Sequence, residues 1–269
     1  IRDGYKELNV MLKTDSQILD AVVVSSTKKD ANVSELKMSI QTIDMVQIRK
    51  IPSLMGEVDV IKSIQLLPGV HAVSEGSSGF SVRGGSPDQN LILLDDVPVY
   101  NASHFLGFFS VFNNDVIKDA TLYKGDIPAN YDSRLSSVLD IKTLDEIPYK
   151  FKMQGGIGIL TSRLTLNAPF NNGKSALLLG GRITYGGVLA CNIIERLRGS
   201  SMYFYDFNVK LMHTFNENNR VYISTYLGDD ILGMDSLMSM TYGNKNITTR
   251  WNHVFNDNLT SNLSIFYTK

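Results

Sequence analysis

Phe80-Ser81-Val82-Arg83-Gly84-Gly85-Ser86-Pro87-Asp88-Gln89-Asn90-Leu91-Ile92-Leu93-Leu94-Asp95-Asp96-Val97-Pro98-Val99-Tyr100-Asn101 decides the reading of this chain. Two β-prone runs flank a glycine turn, and the second run leads into a loop ended by proline. The pattern describes a compact unit of short strands. Asp95 and Asp96 are adjacent, so on a strand they point to opposite faces and do not form a paired acid and base.

Working outward toward the C-terminus, the text beyond Tyr149 changes to a two-residue repeat. Tyr203, Tyr205, Phe207, Val209 and Leu211 share one face, and Asp206, Asn208, Lys210 and Thr214 share the other. Leu177, Leu179, Ile183 and Tyr185 likewise oppose Arg182 and Thr184, and Ile247, Trp251 and Phe255 oppose Thr248, Arg250 and Asn252. An apolar face backed by a charged one suits a membrane barrel with a polar interior. The connections alternate in length: 171–174, 216–219 and 256–258 are tight, whereas 186–202 and 228–245 are long. Short turns on one side and long loops on the other follow the outer-membrane pattern. The run 150–169 is about twice the 9–11 residues of a tilted crossing, so it divides near Gly155, Gly156 and Gly158. Strands are expected near 150–158, 161–169, 175–185, 203–215, 220–228, 246–255 and 259–268. Seven strands do not close around such a unit, so the barrel is incomplete in this chain.

Composition bounds the alternatives. The chain has 269 residues, 43% of them hydrophobic, and a formal charge of −1, which removes a nucleic-acid binder held by a basic face. One cysteine, Cys191, makes no internal disulfide. No run of about 18 apolar residues supplies a transmembrane helix. The chain opens Ile-Arg-Asp, so a secretion leader is removed or lies outside this sequence.

The stretch 80–101 resembles the signature of the plug domain of TonB-dependent outer-membrane transporters, where an Arg-Gly turn precedes a strand ending in Asp-Gly-Val-Pro. Asp96 stands where that family has glycine. Asp59-Val60-Ile61-Lys62 to Leu67-Pro68-Gly69-Val70 is similar to the plug helix ending in Leu-Pro-Gly-Val, and helical spacing at Glu57, Val58, Ile61, Ile64, Gln65 and Leu66 agrees. Thr42-Ile43-Asp44 is expected to open a short helical turn. Ile127 to Thr143, with Tyr131 and Arg134, resembles the plug's closing loop and last strand. Asp20-Ala21-Val22-Val23-Val24-Ser25 looks like a TonB box, a segment that adds as an extra strand to an energy-transducing partner. An ordinary strand inside the plug is the plainer reading of the same residues.

The expected fold is therefore mainly β: a small α+β plug inside a transmembrane antiparallel barrel, 22-stranded in the family, with about seven strands here. The expected boundaries are the end of an upstream β-sandwich, resembling a carboxypeptidase regulatory domain, or a linker at 1–17, the TonB box and linker at 18–30, the plug at 31–148 and barrel strands at 149–269. The resemblance implies active transport of a nutrient (metal chelate, vitamin, peptide or glycan) across the outer membrane of a Gram-negative bacterium, gated by the proton gradient. The alternative is a plugged barrel serving as a non-transporting surface receptor or envelope subunit. It implies a TonB-type partner and outer-membrane lipids, leaves room for a surface lipoprotein, and implies no nucleic acid, cofactor or metal. Arg83 and Arg134 are the plug–barrel contact candidates, and Ser77, Ser78, Phe80, Asn101, His104, Phe105 and Phe108 the substrate-facing ones.

Enzymatic signals are weak. Gly156-Ile157-Gly158 lacks the third glycine of a dinucleotide fingerprint, Glu75 to Gly79 lacks the nucleophile-elbow spacing, and His71, His104, His213 and His253 lack ligand spacing.

Overall fold

The computed structural model describes residues 39–48, 57–74, 77–131, 134–195, 200–234, 238–256 and 258–269. These residues lie in one compact unit, Ser39–Lys269. The segments expected as an upstream domain, linker and TonB box lie outside the described residues.

The N-terminal part of this unit is built on a five-stranded sheet. It contains β1 (Ile40–Asp44), β4 (Asn90–Leu94), β5 (Val97–Pro98), β8 (Ile117–Tyr123) and β9 (Ser137–Thr143) in the order β1-β8-β9-β4-β5. β4 and β9 run parallel and the other neighbours antiparallel. β4 is the central apolar run. Leu91 and Leu93 pack with Val138 on one side, while Leu94 joins the main core on the other. Two small hairpins complete this part, β2 (Val70–Ala72) with β3 (Phe80–Val82), and β6 (Ser103–His104) with β7 (Phe109–Ser110).

Two local expectations are corrected. Thr42 to Asp44 is not helical but belongs to β1, where Thr42 pairs with Thr121, and the helical turn follows at Met45–Ile48. Pairing with β8 satisfies the backbone of a β-branched segment better than one isolated helical turn does. The main helix covers Val60–Gln65 and does not include Glu57. Asp59 is its extended N-cap and accepts from the Lys62 amide at 3.1 Å, the role for which a short acceptor side chain is suited. Glu57 therefore lies before the helix, buried and free to point elsewhere.

The second sheet has seven strands in chain order: β10 (Lys152–Ile157), β11 (Thr161–Phe170), β12 (Ser175–Thr184), β13 (Ser201–Asn216), β14 (Asn219–Met234), β15 (Met238–Asn256) and β16 (Leu259–Thr268). Every neighbouring pair is antiparallel. The division near the glycine cluster occurs as expected, with the turn closed by Gly158 donating to the Thr161 carbonyl at 2.8 Å. Asn171, Asn172 and Gly173 have positive φ, which asparagine and glycine tolerate best, and so make the tight turn before β12. The expected long loop at 228–245 is mostly paired: β14 and β15 continue from Gly228↔Asn244 to Met234↔Met238. A ladder that satisfies its own backbone groups costs less than an unpaired loop of that length. The other long connection contains a helix, Gly186–Ile193.

The two-residue alternation sorts the faces. Asp206 and Lys210 are each 2% exposed, whereas Phe207 between them is 42% exposed. The polar side faces the plug sheet. Ala176, Leu178, Met212, Tyr222 and Tyr226 on the same inner side join one core cluster with Phe112, Val116, Leu122 and Leu139. At Gly180 a Cβ would meet Val116 Cγ1 at 2.3 Å, so glycine there lets the plug lie directly against the wall.

Candidate functional site

The described residues place most of their buried charge at the seam between the plug sheet and β12 to β15. The β4–β5 turn supplies the first cluster. Asp95 and Asp96 are not strand residues with opposed side chains; both are turn residues, with φ of 48° and 72°. Two successive positive φ values match the tight hairpin turn whose twist suits its strands. Asp95 accepts from the Thr143 amide at 3.0 Å and the Thr143 hydroxyl at 2.5 Å, and lies 3.2 Å from Lys210 Nζ on β13. Burial alone would push its carboxyl up, but the Lys210 charge and the Thr143 bonds outweigh it and hold the pKa at about 2. Asp96 accepts from Lys142, and from Arg250 on β15 at 3.3 Å. Its pKa is also lowered: burial opposes ionisation, and the two cations overcome it. The carboxylate that replaces the expected glycine therefore makes a bond to the barrel wall.

A second cluster lies near the end of the sheet that carries the long β14–β15 hairpin. Arg182 on β12 donates to Asp206 on β13, to Glu57 at 2.7 Å and to the Ser110 carbonyl at 2.7 Å. His104 sits between two barrel carboxylates, with Nε2 2.6 Å from Asp206 and Nδ1 2.6 Å from Asp230. Tyr226 donates to Asp206 at 2.6 Å. The imidazole stacks on Phe204, ring centroids 4.2 Å apart and planes 5° from parallel, and Arg182 lies 5.2 Å over the same ring. Burial opposes a charged imidazole, but the Asp206 charge and the bonds to Asp206 and Asp230 outweigh it, and the His104 pKa is raised. A third tie joins Arg163 on β11 to Asp115 at 2.7 Å.

Every charged group in these clusters is engaged by a hydrogen-bond or ion-pair partner, so they do not resemble an activated nucleophile or a free acid–base pair. They are suited to hold one domain against another. Removing one member of such a buried pair strands the other, at about 3–5 kcal/mol.

The residues singled out from sequence are distributed unevenly. Arg83 is exposed and donates to Ser39 Oγ at 3.1 Å; Arg134 is exposed and donates to the Asp88 carbonyl at 2.8 Å. Both bonds stay within the plug. Among the described residues, the wall's ionic contacts to the plug are made by Arg163, Arg182, Asp206, Lys210, Asp230 and Arg250. Their signal in the sequence is charge on the inner parity of the strands, a pattern that describes a polar interior without naming partners on the plug. Among the substrate-facing candidates, Ser78, Phe80 and His104 are buried, because the first two pack beneath the 104–108 loop or in the core and His104 turns into the wall. Asn101 is half-buried and accepts through its carbonyl from Asn244 Nδ2 at 2.6 Å. Ser77 and Phe105 are half-buried. Phe108 is 50% exposed, and Leu106, not singled out from sequence, is 73% exposed.

A small sheet domain seated by buried ion pairs on the inner face of an antiparallel wall defines a plugged β-barrel. Residues 32–137 match the family model of the TonB-dependent Receptor Plug Domain. Among solved structures, the siderophore receptor PirA from Acinetobacter baumannii is similar at 14% identity and a TM-score of 0.61, over 86% of this chain and 40% of that one. The ferric citrate transporter FecA in its unliganded form aligns at 15% identity and 0.61, over 85% and 39%. The outer membrane transporter YddB from Escherichia coli aligns at 12% identity and 0.61, over 86% and 38%. The chain thus spans about two fifths of the length of these structures. No curated protein matches the sequence.

Proposed function

We propose that the chain is the gate and part of the frame of a TonB-dependent transporter in the outer membrane of a Gram-negative bacterium. In this reading residues 18–30 carry the TonB box and linker, 31–148 form the plug, and 149–269 begin the barrel. The observation that carries it is the seat itself. Buried ion pairs at Glu57–Arg182, His104–Asp206 and Asp95–Lys210 join plug and wall, and a plug has a purpose only inside a passage. Leu106 and Phe108, exposed on the loop above the His104 cluster, are the plug's surface for an arriving nutrient. Siderophore, ferric citrate and copper handling in the names of fold neighbours makes a metal chelate the first substrate to try.

Transport then requires that an inner-membrane partner pull on Asp20 to Ser25. Bonds of about 0.5–1.5 kcal/mol each along an added strand must break the seat together. In the full-length receptor, deleting 18–26 abolishes uptake of a radiolabelled nutrient while surface binding persists. Uptake that survives the deletion rules out the TonB-box assignment. Binding without uptake in the intact receptor, unchanged when the proton gradient is dissipated, assigns the non-transporting receptor role instead.

A further inference from the structure

The loop of residues 104–108 is held in an unusual backbone. Phe105, Leu106 and Gly107 all have positive φ, at 52°, 55° and 112°. For phenylalanine and leucine that region is costly, and it persists only where surrounding groups impose it. Here the imposing groups are on the barrel. Asp230 on β14 accepts the Phe105 amide at 2.9 Å, and the Tyr242 hydroxyl on β15 accepts the Leu106 amide at 3.1 Å. Both lie in the part of the β14–β15 hairpin that extends past the length of a membrane crossing. On the plug side, Ser78 donates its amide to the Gly107 carbonyl, and Lys62 donates to the Phe108 carbonyl.

Asp230 performs two tasks, because its other oxygen faces His104 Nδ1 at 2.6 Å. Asp206 is paired with Arg182 and also accepts from Tyr226, so it is the ionised acceptor for an N–H at Nε2. That leaves Nδ1. At 2.6 Å, Nδ1 and the Asp230 carboxyl make a hydrogen bond only when a proton lies between them; without one, a ring lone pair faces a carboxylate lone pair in a buried site. The surroundings do not substitute for that proton. Counting Glu57, Arg182, Asp206 and Asp230 with a neutral His104 leaves two uncompensated negative charges, and protonation leaves one. Asp59, across β7, is already engaged by the Ser110 and Lys62 amides.

We propose that the proton between His104 and Asp230 is a lock: while it is present the plug loop is pinned in its strained form to the base of the β14–β15 hairpin, and its loss releases the loop. The raised pKa of His104 agrees in direction: the lock holds to higher pH than an ordinary imidazole allows and opens as the pH rises further. The lock is independent of whether the barrel transports, because it concerns only how the plug loop is held.

The test uses the full-length receptor in outer-membrane vesicles, with Cys191 replaced by alanine and a spin label at Leu106→Cys, where the native side chain is 73% exposed. Label mobility read by electron paramagnetic resonance does not depend on thiol chemistry at the pH of measurement. Scanned from about pH 6 to about pH 10, the ratio of mobile to ordered label should be low at neutral pH and then climb about tenfold per pH unit beyond the midpoint, as one proton dictates. Asp230→Asn supplies the second arm. Its amide oxygen still accepts from Phe105 and its NH2 donates to a neutral Nδ1, so the label should stay ordered and the step should vanish. A flat profile in the Cys191→Ala, Leu106→Cys background, or a step of unchanged midpoint in Asp230→Asn, overturns the proposal. His104→Phe, which keeps a ring against Phe204, should be mobile at every pH; a step retained in it overturns the proposal equally.

Discussion

At the scale of single residues, the Asp95-Asp96 turn carries the most information. Asp95 is buried and ionised, and its removal in Asp95→Ala strands Lys210 and the Thr143 amide, a loss of about 3–5 kcal/mol read as a lower urea midpoint for plug unfolding in the folded receptor. The pH dependence has a definite sign. Its folded pKa, about 2, lies below the ordinary carboxylate value, so the clamp contributes fully above about pH 4 and fades as the pH falls toward 2. Urea midpoints of the unsubstituted receptor should therefore drop through that window, and those of Asp95→Ala should drop less. Asp96 differs in being partly exposed, with its side chain at 31%. Asp96→Gly relieves a left-handed φ worth about 1 kcal/mol while losing solvent-screened pairs worth about as much, so stability should change by less than about 1 kcal/mol. Asp96→Val relieves nothing and loses the same pairs, and it should be clearly destabilising. The sequence showed that Asp96 departs from glycine but not what the departure gains, because Arg250 is 154 residues away.

At the scale of elements, the barrel strands were legible almost to the residue. β11, β12 and β16, at 161–170, 175–184 and 259–268, follow the alternation read from sequence, because a half-buried strand has to write its two faces into a period of two. The faces can be tested on β13. Leu211 faces outward near the middle of the strand, and Leu211→Arg should cost about 2–4 kcal/mol of barrel stability, measured by the temperature at which the folded band is lost on unheated gels. Gly180 provides a test from the inside. Gly180→Val drives a side chain into Val116, which would lie 2.3 Å from its Cβ, and should cost about 1–3 kcal/mol of plug seating while leaving barrel insertion intact. The paired 228–245 segment was less legible. Its buried face is polar, with Asp230 and Asn244 turned to the plug, and 238–241 are exposed, so no apolar alternation marks the strands and the text reads as loop.

At the scale of the whole molecule, the plug is held by separate clamps. The His104 and Asp95 clusters share no partner among the described contacts, and their anchors Asp206 and Lys210 are four residues apart on β13, about 13 Å. Losses from His104→Phe and Asp95→Ala should therefore add within about 0.5 kcal/mol in a double-mutant cycle on plug unfolding at neutral pH. A coupling well beyond that would mean the seat yields as one unit.

The sequence by itself determined the class of the fold, the parity of each strand and the end of the sheet at which short turns lie, since these follow from local periodicity and turn chemistry. It also carried the plug signature through residue types at fixed spacing. Only the tertiary structure decided which charges meet. Arg182 joins Glu57, and Asp230 joins His104, across separations of 125 and 126 residues, and no local pattern records a partner that distant. For the same reason His104, expected from the sequence to face a substrate, is a buried pin between Asp206 and Asp230, and Arg83, expected at the plug–barrel contact, donates to Ser39 within the plug.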